Sequence, residues 1–187
     1  MPSLSEQLEE LQRLTVEMQT CLPMVEEACE QVLGALRNNN KILTCGNGGS
    51  ASDAMHLTEE LVGRYRADRP ALPSIALVAD PTVLTCIAND WDYASVFARQ
   101  VEAHGRPGDC LVGFSTSGNS ESVLRAFQAA GERGVFRIGL LGKSGGACLN
   151  HVDTAVVVPH SNTARIQEMH TWILHVILET VEAHYVS

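Results

Sequence analysis

The chain has 187 residues, 45% of them apolar, with 13 Lys+Arg against 22 Asp+Glu and a formal charge of −9. That length suits one domain with a single core, and the acidity excludes a general nucleic-acid or anionic-membrane surface, which needs a basic stripe. A small anion stays admissible, because a few backbone N–H groups can bind one locally.

No apolar run nears the ~20 residues that cross a bilayer, and the polar start from Met1 to Glu10 is unlike a signal peptide. The six cysteines (Cys21, Cys29, Cys45, Cys86, Cys110, Cys148) include no CxxC pair. They read as reduced, mostly buried thiols of a cytoplasmic protein.

The first forty residues read as helical. Leu4, Leu8, Leu11 and Leu14 recur at spacings of three and four, and Val25, Val32, Leu33 and Leu36 repeat the pattern after Pro23, until Asn38-Asn39-Asn40 ends it. Short apolar runs follow at Lys41–Cys45, Ser74–Ala79, Cys110–Phe114, Arg137–Leu141 and Thr154–Val158, each bounded by Gly, Pro, Asp or Ser and each reading as a buried strand. Between them lie helical stretches at Ser50–Val62, Tyr93–Ala103 and Ser120–Arg133, a short turn after Lys143, and a last helix from about Ala164 to Ala183. The alternation implies an α/β fold: a five-stranded parallel sheet with helices on both faces, a three-layer sandwich. Residues 1–40 are expected to form a helical extension packing in an oligomer, and 41–187 the α/β domain.

In such a sheet, ligands bind beyond the carboxyl ends of the strands, and three polar clusters belong there. The first is Gly46-Asn47-Gly48-Gly49-Ser50-Ala51, after the first strand. Glycines bring backbone N–H groups close to a ligand at a helix N-terminus. The run fits the dinucleotide pattern G-x-G-x-x-A, which wants an acidic residue about twenty positions on. Asp80 ends the second strand too far downstream, and a tight turn without a ligand is the plain alternative.

The second cluster is Ser115-Thr116-Ser117-Gly118-Asn119-Ser120. Its hydroxyls and glycine at a helix start make a phosphate cradle without cationic side chains, where a simple Ser N-cap would need only one or two of them. Gly142-Lys143-Ser144 is no nucleotide P-loop, because Arg137 stands where that motif needs glycine.

The third cluster spans two helices. His56 and Glu60 stand four apart on one helix face, and Gln167, Glu168, His170 and His175 gather on the last helix. Two His, one Glu and one Gln give an N/O donor set suited to Zn²⁺ or a similar divalent ion, although Gln167 and His175 are about 12 Å apart along a regular helix. Asn89 and Asp90 either line the same cleft or cap a helix.

At these residues the chain resembles the SIS-domain (sugar isomerase) proteins, and within them the phosphoheptose isomerases. The likeness rests on GNGGSASDAMHLTEELVGRYR (46–66), AND (88–90), GDCLVGFSTSGNSESV (108–123) and RIQEMHTWILH (165–175). It implies a flavodoxin-like SIS domain, a cytoplasmic homotetramer and a divalent metal, commonly zinc. It also implies conversion of sedoheptulose 7-phosphate to D-glycero-D-manno-heptose 7-phosphate, the entry to nucleotide-activated heptoses of lipopolysaccharide.

By position, the resemblance assigns phosphate contacts to Ser115, Thr116, Ser117 and Ser120. Other substrate contacts fall on Asn47, Gly48, Gly49, Asn89 and Asp90, and also on Glu60 and Gln167. The metal ligands are His56, Glu60, Gln167 and His175, and the catalytic pair is Glu60 and His175. A sister group resembling the initiator-associating protein DiaA keeps the fold and binds a replication initiator instead. It lacks the His/Glu pair and a His at position 175, so the residues here favour the enzyme. Sugar-phosphate-sensing SIS proteins often carry a further domain, for which a chain of this length is expected to have no room.

Overall fold

A computed structural model describes residues 3–186; residues 1, 2 and 187, at the outer ends of the expected 1–40 and 41–187 segments, lie outside the described residues. Two helices lead, α1 (Leu4–Glu17) and α2 (Leu22–Arg37), joined by a 3-10 turn at Met18–Cys21. Ser3 starts α1 with a capping box, its hydroxyl accepting from the Glu6 N–H while the Glu6 carboxylate accepts from the Ser3 N–H. Five strands follow: β1 (Ile42–Gly46), β2 (Ser74–Ala76), β3 (Cys110–Ser115), β4 (Phe136–Gly142) and β5 (Thr154–Val158). They pair in parallel in the order β2-β1-β3-β4-β5, the flavodoxin-like winding.

The remaining helices are α3 (Gly49–Val62), α4 (Pro81–Asp90), α5 (Ala98–His104), α6 (Glu121–Glu132) and α7 (Thr163–Tyr185). Strand side chains alternate between the two faces. Ile42, Val112, Phe114, Ile138, Leu140 and Val156 pack with α1, α2, α3 and α7. Leu43, Cys45, Leu111 and Leu141 pack with α4, α5 and α6. This is the expected three-layer sandwich. α2 buries Val25, Ala28, Val32 and Leu36 directly in the first of these cores.

Three local expectations are corrected. The second strand stops at Ala76, because Ala79 N–H turns back onto the Ala76 carbonyl. The stretch from Tyr93 is a 3-10 turn at Tyr93–Ser95 followed by α5. Before it lies α4, which the sequence reading does not contain: Asp80 caps it through Thr82 N and Val83 N, and Pro81 occupies its first turn. All six cysteines are free, but Cys86 is exposed rather than buried.

His170 belongs to the core. It is fully buried, its Nε2 lies 3.1 Å from the Leu141 carbonyl, and its ring meets Phe114 edge-on. Burial lowers its pKa to about 4. The unfolded chain therefore takes up a proton near pH 6.5 that the folded chain refuses. Stability is at its full value above that pH and falls as pH drops toward 4, by about 3 kcal/mol in total. Urea midpoints at pH 7 and pH 5 should converge in His170→Gln relative to the parent; an unchanged gap removes His170 from the acid response.

Candidate active site

The winding reverses between β1 and β3, so the switch point lies at their carboxyl ends. Both loops flagged in the sequence emerge there. Gly48 opens α3 at φ +58, a conformation that side chains resist. Asn47 then joins the two loops: its Nδ2 donates to Ser120 Oγ (2.8 Å) and Ser122 Oγ (3.0 Å), and its Oδ1 accepts from the Tyr93 hydroxyl (2.7 Å).

In the hydroxyl loop, Ser115 is buried and Thr116, Ser117 and Ser120 are half-buried. Ser120 occupies the N-cap position of α6, yet its hydroxyl makes no cap bond. The start of α6, with its positive dipole end, thus follows directly on a loop of neutral hydroxyls, a setting for an anion. Asn89 and Asp90 sit on the exposed last turn of α4, bonded to each other at 2.8 Å, and the chain after them carries Tyr93 to Asn47. Tyr93 escapes the sequence reading because nothing periodic marks it.

Farther along α3, a second constellation forms against α7. Both helices start beyond the carboxyl ends of their strands and lie side by side. Their contacts run in step: the Gln167 amide packs against Gly49, Thr171 Oγ1 donates to Asp53 Oδ1 (3.1 Å), and the His175 ring meets that of His56 at 5.1 Å, edge-on. His56 Nε2 lies 3.6 Å from Glu60 Oε1. Donor atoms of His56, Glu59 and Glu60 fall within 4.8 Å of one another, a spacing that a divalent cation with imidazole and carboxylate ligands can use. Gln167 stands apart, about 12 Å from His175 along the α7 backbone, so a shared ligand sphere needs both side chains to lean together. Glu59 is an additional exposed carboxylate beside the cluster.

The electrostatics suit proton transfer. Burial pushes the His175 imidazole below its ordinary value, with the His56 and Arg66 charges in the same direction and Glu60 and Glu179 opposing. At neutral pH it is a neutral ring able to accept a proton. Burial raises the Asp53 carboxyl, against the Thr171 hydrogen bond and the His56 charge, and its buried Oδ2 has no partner among the described residues.

A glycine loop and a hydroxyl loop stand at the switch point of this parallel sheet, with a His/Glu cluster down the adjoining helix, and the SIS domain family matches residues 7–142. A phosphoheptose isomerase from Roseiflexus sp. is 50% identical over 173 residues, covering 92% of this chain and 87% of that protein. The phosphoheptose isomerase GmhA from Neisseria gonorrhoeae superposes with a TM-score of 0.91 at 40% identity, covering 96% of this chain and 97% of the other. One from Francisella tularensis gives 0.93 at 34% identity, covering 98% and 100%. The chain belongs to the phosphoheptose isomerase family of SIS-domain proteins.

Proposed function

We infer that the protein is an aldose–ketose isomerase converting sedoheptulose 7-phosphate to D-glycero-D-manno-heptose 7-phosphate, the step that feeds nucleotide-activated heptose synthesis. The observation that carries this reading is that His56, on the helix that leaves the glycine loop, lies 3.6 Å from Glu60 and meets the ring of His175, from far along the chain on α7, at 5.1 Å. An initiator-binding module has no use for such a cluster, and the relatives described above carry the isomerase name.

In the proposed mechanism, Ser115, Thr116, Ser117 and Ser120 hold the terminal phosphate together with the start of α6, so that binding energy becomes orientation. Asn47, Gly48, Gly49, Asn89, Asp90 and Gln167 contact the sugar chain. Glu60 removes the proton from C1 of the open-chain ketose and returns it to C2, while His175 carries a proton from O1 to O2. The C1–H bond breaks and a C2–H bond forms, with no net change in oxidation level. His56, Glu60, Gln167 and His175 would hold a zinc-class cation. That cation would supply polarisation of the substrate carbonyl.

We also propose a cytoplasmic homotetramer. Leu4, Leu8 and Val16 of α1 are exposed, and an apolar hollow of about 270 Å³ lies between Met18, Leu22, Met169 and Trp172, surface that a second copy would cover. No helix among the described residues is long and apolar enough to cross a membrane.

Incubation with sedoheptulose 7-phosphate tests the reaction: an aldose phosphate should accumulate. Its absence from a folded, oligomeric preparation defeats the reading. Chelation should lower the rate and a restored divalent metal should recover it; full turnover by metal-free protein removes the metal from the proposal.

A further inference from the structure

We propose that Tyr65 is a positioning residue for His175: its ring clamps the imidazole, and the loop that carries it is locked onto α7 through Arg66, Glu179 and Glu182. The kinetic side of this rests on the isomerase reading above; the structural side does not.

His175 makes no hydrogen bond among the described residues, and the neighbours its ring meets there are His56 and Tyr65. Tyr65 lies over it at 5.9 Å between centroids and 30° between planes, in the range of an offset stack, while His56 meets it edge-on. The Tyr65 hydroxyl reaches Glu179 Oε1 at 3.4 Å. Glu179 is one turn beyond His175 on the same face of α7, so one tyrosine spans two successive turns of the helix that bears the imidazole.

Arg66 packs on the Tyr65 ring as well. Its Cζ lies 4.7 Å from the Tyr65 ring centre, within cation–π range. Its Nη2 donates to Glu179 Oε1 (2.7 Å) and to the Tyr65 hydroxyl (3.1 Å). The backbone is tied down as well, because Arg66 N and Ala67 N both donate to Glu182 Oε1, at 2.8 and 2.9 Å. The segment after α3 is therefore built onto α7, and the stacked ring is what it delivers. A relay imidazole left to rotate loses alignment with both sugar oxygens. Displacement on the ångström scale costs up to ~10²-fold in rate.

The test compares Tyr65→Leu with Tyr65→Phe in the full-length protein. His175 ring resonances are identified as those missing from His175→Asn. Tyr65→Leu should lose the ring-current shift on those resonances and lower kcat about tenfold or more with KM within about twofold. Tyr65→Phe should keep the shift and most of the turnover. Unmoved resonances with parental kcat in Tyr65→Leu overturn the proposal, as does a Tyr65→Phe variant as impaired as Tyr65→Leu, which would assign the effect to the hydroxyl. Should Tyr65→Leu fail to fold, Arg66→Gln replaces it: loosening of the stack should move the same His175 resonances, and their constancy overturns the clamp. A parent protein inactive on sedoheptulose 7-phosphate defeats the isomerase reading alone, since the resonance shifts still decide the clamp.

Discussion

Glu60→Gln is expected to lower turnover by at least ~10² while leaving the fold intact, because the amide keeps the shape of the side chain and cannot take a proton from carbon. His175→Asn should cost as much if, as proposed, it removes the group that moves the proton between oxygens. If the two act on one enediol intermediate, the double variant should lose little more than the worse single, as groups that work as a unit are strongly non-additive. Steady-state rates at saturating substrate, with melting curves to establish folding, decide this. Near-parental turnover in either single variant removes that residue from the chemistry, and fully multiplicative losses separate the two roles.

Gly118→Ala should be the most damaging change in the hydroxyl loop. Gly118 sits at φ +65, and a β-carbon there would overlap the Gly145 carbonyl, which is backbone and cannot swing aside. The two loops are also stapled: the Gly118 carbonyl accepts from Cys148 N at 2.8 Å, and Asn119 Oδ1 accepts from Ala147 N at 2.9 Å. The strain of a left-handed alanine and the overpacking together predict a loss of about 3 kcal/mol. The hydroxyls of Ser115 to Ser120 should be displaced with it. Urea denaturation should show the lost stability, and KM should rise well above the parent value. An unchanged midpoint would mean that the loop relaxes freely.

The fold is legible in the sequence where apolar runs are short and bracketed. Thr154–Val158 has the same ends in both readings, and β3 gains only Ser115. Legibility fails where local chemistry and periodicity disagree. α4 carries Thr82, Val83, Thr85 and Ile87, β-branched residues that depress the helical signal, although Asp80-Pro81 is a helix start. In α1 the leucine stripe is regular, yet the protomer buries Leu14 and leaves Leu4 and Leu8 exposed, because the far end of the helix extends past its own core.

The site divides in the same way. Glycines and hydroxyls beyond strand ends are readable because the sheet dictates where they emerge. His56 and Glu60 are readable because helical spacing places them together. Tyr65, Tyr93 and Asp53 are not, since their contacts depend on the path of a loop or on the register of α3 against α7. Helical geometry flags the Gln167 offset, and the structure then places its amide at Gly49.

The side-by-side placement of α3 and α7 also governs when activity can first appear. Glu60 emerges from the ribosome early, while His175, its proposed partner, arrives only after all five strands have been made. α7 also contributes Ile166, Ile173, Leu174 and Ile177 to the core on its face of the sheet, so a nascent chain lacking it has neither a finished interior nor the complete proposed site. Enzymatic turnover in a newly made chain is thus a stringent report that synthesis and docking have gone to completion.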